Sequence, residues 1–183
     1  MQLDHGRAAP DKDSGVRPLA EARDVKRILV ATDFSRGADR ALVVGIQLAR
    51  AFHATIDLLH VYPSITYVAA PPAGVFPATP SPMDLENIDR ALAELADHVR
   101  NADVECRTAS IEGDPAKEII SQAANVDGDL IVMGTQGRTG LRRLIIGSVA
   151  EAALRPAVTP VLVVPSEDAD DPTVGPPPAK MSP

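Results

Sequence analysis

Between residues 134 and 148 the chain places Gly134, Gly137, Gly140, Gly147 and Ser148, the residue types best suited to hold an anion. Glycines let a backbone come close to a phosphate, and the first amides of a helix point outward with no partner of their own. The second chemical candidate is Asp33, in the run Ala31-Thr32-Asp33-Phe34-Ser35. A carboxylate there can accept hydrogen bonds from ribose hydroxyls, whereas it would repel a phosphate. Each candidate has a competing structural reading. The glycines could serve only close packing, and the aspartate could simply help cap the helix that follows.

Both candidates sit directly behind short apolar runs, Leu130-Ile131-Val132-Met133 and Ile28-Leu29-Val30-Ala31. Such runs read as buried parallel strands. In an open parallel sheet, ligands bind beyond the C-terminal ends of the strands, near the switch in strand order. The remaining elements fall into place around these two. The first strand, 27–32, leads to a helix over 36–52, with Ser35 as N-cap and Ala38, Ala41, Leu42, Gly45, Leu48, Ala49 and Phe52 on one face. The second strand covers 55–61. The Pro- and Ala-rich stretch 62–81 is too long for an ordinary connection, so an irregular surface loop is expected, with a lid as the alternative. Ser81, Pro82 and Asp84 mark the start of the second helix, whose stripe is Leu85, Ile88, Leu92, Leu95 and Val99.

A third strand over 103–109 alternates Val104, Cys106 and Thr108 with Glu105 and Arg107, the pattern of an edge strand. Cys106 reads as a small core residue. Asp114-Pro115 opens the third helix, with Ile119, Ile120 and Ala123 inward. A fourth strand, 129–133, enters the glycine loop, and a last helix follows Gly147-Ser148. Thr159-Pro160 then introduces a fifth strand, 161–164. This alternation implies right-handed crossovers and a single-domain, Rossmann-like α/β fold, an open parallel five-stranded sheet with helices on both faces. Segments 1–24 and 166–183 lack periodicity and read as disordered tails around a domain over 25–165.

The glycine spacing does not fit G-x-G-x-x-G, and no Gly-Lys-Ser/Thr of a Walker A loop occurs. What stands here is Gly134-x-x-Gly137, nine residues, then Gly147-Ser148. Together with Ala31-Thr32-Asp33-x-Ser35, this resembles the universal stress protein family in its ATP-binding, G-x-x-G-x9-G-S branch. The resemblance implies the strand order 3-2-1-4-5. It implies that Asp33 lies beside the ribose and adenine, and that the backbone at Val61 faces the adenine. Phosphates are expected on amides near Gly137, Gly147 and Ser148, with the Ser148 hydroxyl as a further donor. Arg138, Arg142 and Arg143 could neutralise phosphate charge or stay solvated on the surface. Gln136 stands where many relatives have histidine. The candidate binding set is Ala31, Thr32, Asp33, Val61, Met133, Gly134, Gly137, Arg138, Gly147, Ser148 and Val149.

The chain of 183 residues is 45% hydrophobic but only 3% aromatic, so small aliphatic side chains must fill the core. Its net charge of -7 argues against nucleic acid or anionic membrane as partner. No run approaches the length of a membrane span, and no secretory signal is visible, so a soluble cytoplasmic protein is expected. The histidines His5, His53, His60 and His98 form no metal-spaced cluster, and no metal ligand is assigned. His60 reads as a packed or surface residue. No catalytic pair is visible either. The leading expectation is therefore an ATP-binding regulatory protein, with ATP bound alone or with Mg2+ and without efficient turnover. The alternatives are a slow ATPase, a binder of cyclic AMP, and a nucleotide-free dimerisation module. A phosphorylated receiver domain is disfavoured, since only Asp33 stands at the first strand end. The uncharged fifth strand, Val161 to Val164, is an edge that invites a two-fold dimer.

Overall fold

A computed structural model of the chain describes residues 24–70, 74–135 and 147–165. Its elements run β1 (Arg27–Thr32), α1 (Arg36–Phe52), β2 (Thr55–Tyr62), β3 (Thr66–Ala70), β4 (Gly74–Ala78), α2 (Pro82–Arg100), β5 (Cys106–Glu112), α3 (Pro115–Asn125), β6 (Leu130–Gly134), α4 (Ser148–Leu154) and β7 (Val161–Val164). Five strands form a parallel sheet in the order β5-β2-β1-β6-β7. Counting only its members, that is 3-2-1-4-5, the order expected. Apart from Asp24, both expected tails lie outside the described residues. So do Gln136, Gly137, Arg138, Gly140, Arg142 and Arg143 of the glycine loop.

Why the sheet is covered on both faces can be read from β1. Successive side chains of a strand point to opposite faces. Ile28 and Val30 pack with Ala41 and Leu42 of α1 and Leu92 and Val99 of α2. Leu29 and Ala31 pack with Ile119 and Ala123 of α3 and Ala150 and Ala153 of α4. All four β1 residues are buried. A continuous apolar run is what a strand buried on both sides needs.

The helix starts follow local chemistry. The Ser35 hydroxyl accepts from the Ala38 amide at 3.3 Å. Ser81 and Asp84 form a reciprocal capping box, with Pro82 at the first helical position. Asp114 accepts from the Lys117 amide at 3.0 Å. Each cap satisfies an amide that the helix itself leaves without an acceptor.

Three expectations need correction. The stretch 62–81 is not irregular throughout, because β3 and β4 pair antiparallel, from Thr66 opposite Ala78 to Ala70 opposite Gly74. Thr66-Tyr67-Val68 and Val75-Phe76 have the β-branched and aromatic character that favours strands. Pro77 is tolerated because each strand of a two-stranded ribbon has a free edge. The third strand of the main sheet begins later and runs further, from Cys106 to Glu112, since its pairing with β2 continues to Tyr62 opposite Glu112. Cys106 and Val104 are buried as expected, but Thr108 is exposed. Phe52 closes α1 and is 43% exposed rather than part of the core stripe.

Two glycines mark close contacts. A Cβ on Gly45 would meet Cγ2 of Val30 at 2.8 Å, so α1 lies directly on β1 there. A Cβ on Gly134 would meet the backbone carbon and oxygen of Gly37 at 2.9 Å. At Gly134 the packing reading of the loop glycines therefore holds. Its missing side chain lets the first turn of α1 close against the end of β6.

Gly134→Ala should therefore lower stability by about 1–3 kcal/mol through overpacking. In a chain of this size, each kcal/mol is worth roughly 2–4 °C in Tm. A thermal melt at the wild-type Tm would show that α1 can move away at no cost. Burial pushes the Cys106 thiol up to about 11, with Arg100 opposing and Asp57 adding to the rise. The thiolate is the reactive form. Alkylation at pH 8 should be slow in the folded protein and fast in denaturant, as followed by mass spectrometry.

Candidate functional site

The C-terminal ends of β1, β2 and β6 open into a cavity of about 360 Å³. That lies within the roughly 300–1,000 Å³ of small-molecule sites. Its position is where the strand order reverses, with β2 and β5 on one side of β1 and β6 and β7 on the other. The crevice arises there because crossovers from the two sides leave on opposite faces.

Of the residues expected from sequence, Ala31, Thr32, Asp33, Val61, Met133, Gly134, Gly147, Ser148 and Val149 all line this cavity. Gly137 and Arg138 lie outside the described residues. Sequence reasoning missed Ala38, Leu59, Pro115, Ile119, Thr135 and Ala150, which complete the lining. Leu59 could have been found from strand alternation, since it shares a face with Val61 two residues on. Pro115 and Ile119 belong to α3, and only the topology brings that helix over the sheet end.

The turn after β1 is fixed by a set of short hydrogen bonds. The Phe34 amide donates to the Thr32 hydroxyl at 3.1 Å. Asp33 Oδ1 accepts from the Ser35 amide at 3.1 Å and from the Ser35 hydroxyl at 2.6 Å. Asp33 thus supports the N-cap of α1 through Ser35, as its capping reading has it, and it also lines the cavity. Phe34 adopts a left-handed backbone with φ 61°. For a residue of this bulk that costs on the order of 1–3 kcal/mol and persists only where the surroundings hold it.

The loop that carries the glycine motif is tied at its base. The Thr135 amide donates to the Val164 carbonyl at 2.9 Å, and the Gly147 amide donates to the Thr135 carbonyl at 2.6 Å. The amide of Gly147 is therefore engaged in closing the loop. Asp33 is the single carboxylate among the described lining residues. No group of three or more His, Cys, Asp or Glu residues among the described residues could hold a metal ion.

The walls are mostly aliphatic, with one carboxylate, two hydroxyl-bearing threonines and a serine at the rim. Such a lining can take a flat apolar group and hydrogen-bond a polyhydroxyl one. The sequence pattern of the universal stress protein family matches residues 24–165. Universal stress protein MJ0531 of Methanocaldococcus jannaschii is 36% identical over 139 residues, covering 76% of this chain and 81% of that protein. The fold is similar to that of a universal stress protein in complex with cAMP, with TM-score 0.60 and 23% identity, over 79% of this chain and 100% of that one. It is likewise similar to the universal stress protein from Archaeoglobus fulgidus in complex with dAMP, with TM-score 0.58 and 23% identity, over 78% and 99%. No helix among the described residues is long and apolar enough to cross a membrane. On the extent of the family match and the identity to the archaeal relative, the chain belongs to the universal stress protein family.

Proposed function

We propose that the cavity binds an adenine nucleotide, ATP in the first instance, and that the protein acts as an ATP-binding regulator of the universal stress response type in the cytoplasm. One observation carries this reading. Asp33 and its neighbours, Val61, Met133-Gly134 and Gly147-Ser148-Val149 are far apart in sequence, yet they line a single cavity at the switch point of the sheet. The cAMP and dAMP in the two similar structures support the base and sugar half of the reading. The glycine spacing supports the polyphosphate half.

In this reading adenine lies between the aliphatic walls, against the backbone at Val61, and Asp33 accepts from the ribose hydroxyls. The phosphates rest on the amides of Gly137, Ser148 and Val149, with the Ser148 hydroxyl as a donor and Arg138 as counter-charge. Gly147 contributes its lack of a side chain, since its amide is already used by Thr135. Mg2+ would be carried by the phosphates themselves. Hydrolysis would need a second group to orient water. Binding without efficient turnover is therefore the better reading, with a slow ATPase as its nearest alternative. The structure holding cAMP favours cyclic AMP as the second ligand to test.

Nucleotide occupancy would be read out through a two-fold dimer along β7. That strand pairs with β6 alone within the sheet, and it carries no charge. Leu162 is 36% exposed and Val158, just before the strand, is 98% exposed. A strand edge of this kind is a ready template for a second copy.

Titration calorimetry with ATP should show one site per chain. Gly137→Ala should abolish it, and Asp33→Ala should weaken it by tenfold or more, from loss of hydrogen bonds to a charged group worth ~1.5–3 kcal/mol. Cyclic AMP bound more tightly than ATP would reassign the ligand, and binding of neither would leave the dimerisation module as the reading. Sedimentation at micromolar concentration should give a dimer in the wild type and a monomer in Leu162→Lys. A wild-type monomer would remove β7 as the interface.

A further inference from the structure

We propose that His60 is the positioning residue of the site, holding the turn that presents Asp33 from the opposite face of the sheet. Thr32 and His60 are the two buried polar residues among those described, at 6% and 7% exposed. They are also opposite each other in the pairing of β1 with β2. His60 Nδ1 lies 2.8 Å from the Thr32 carbonyl oxygen. A carbonyl can only accept, so Nδ1 carries the proton and donates. At this point β1 ends, and the imidazole adds a side-chain donor to the carbonyl of its last paired residue.

The same ring supports the turn a second time. Its centroid is 4.5 Å from that of Phe34, tilted by 36°. Phe34 is the residue held in the left-handed conformation, and its amide is bonded to the hydroxyl of that same Thr32. Asp33 lies between the two residues that His60 grips. Leu59 and Val61, on either side of His60, line the cavity, and alternation along β2 sends His60 to the other face. His60 therefore acts on Asp33 through Thr32 and Phe34. It fixes the direction of Asp33 rather than making a contact of its own.

The inference rests on the reading of the cavity as a nucleotide site, so its test carries a readout without nucleotide. His60→Asn keeps an amide donor near the position of Nδ1, His60→Gln moves it towards that of Nε2, and His60→Leu removes it. ATP titrations and amide hydrogen exchange at Phe34 and Ser35 would be measured on all three and on the wild type. We expect Leu and Gln to weaken ATP binding by about tenfold, the worth of one buried hydrogen bond, with faster exchange at both amides. Asn should restore most of each. If His60→Leu does not fold, the Asn–Gln contrast decides. Equal affinity and equal exchange in Asn and Gln would overturn the proposal. If the wild type binds no nucleotide, the site reading fails by itself. Exchange that is fast in Gln and slow in Asn and wild type would still support the role of His60, and unchanged exchange would reject it.

Discussion

β1 has a parallel partner on each side and a layer of helices on each face, so nothing along Ile28 to Ala31 can be satisfied by water. Its backbone must be consumed by the ladders, and its side chains must be apolar on both faces. From this one strand the rest of the architecture is constrained. Chain leaving β1 by α1 must return beside it, and a right-handed crossover sets the face on which α1 lies. When the chain later crosses to the other side as β6 and β7, the crossover helices α3 and α4 must occupy the opposite face. The crevice at the C-terminal end of β1 is what those two opposed crossovers leave uncovered.

Because the ladders stop where β1 stops, side chains finish the work at both of its ends. At the start, Asp129 accepts from the amides of Lys26 and Arg27 at 2.9 and 3.1 Å. Beside it, Arg27 and Asp57 form a two-pronged ion pair across β1 and β2. At the finish, His60 adds a side-chain donor to the carbonyl of Thr32, which is in the last pair of the β1–β2 ladder. An unpaired backbone group at a buried strand end costs about as much as a lost hydrogen bond. Thr32, one of the two buried polar residues described, thus stands where β1 runs out. The site grows at such a place.

How much of this could be read in the sequence follows from which interactions are local. The N-caps at Ser35, Ser81 and Asp114 are decided within three or four residues, and α1, α2 and α3 begin where those caps place them. The two-face burial of β1 was visible as an unbroken apolar run. Nine of the described lining residues were legible, eight because they stand in or beside the two motifs and Val61 because the family resemblance marks the end of the second strand. Leu59, Pro115 and Ile119 escaped because their part in the cavity depends on which helix the topology lays across the sheet end. The β3–β4 ribbon escaped for another reason. Its prolines and alanines outweighed short β-branched and aromatic runs, whose pairing shows only when both strands are considered together. The end of β5 moved because an edge strand is as long as its partner allows, not as long as its own pattern suggests.

The same division between local and distant constraints bears on what the site can do. The end of the cavity proposed for the sugar is built from strand termini and a turn held by Ser35, Thr32 and His60, where small displacements would strain several hydrogen bonds at once. The end proposed for the phosphates lies where Thr135 and Gly147 are bonded to each other. In the proposed reading, an end that holds base and sugar and a separate end for the phosphates would divide holding the ligand from sensing how many phosphates it carries. Catalysis would require groups that bind the transition state more strongly than the ground state. Under the proposed reading, the one carboxylate among the described lining residues, engaged with Ser35 amid aliphatic walls, would grip the ground state. This is the physical argument for the proposal of binding over turnover.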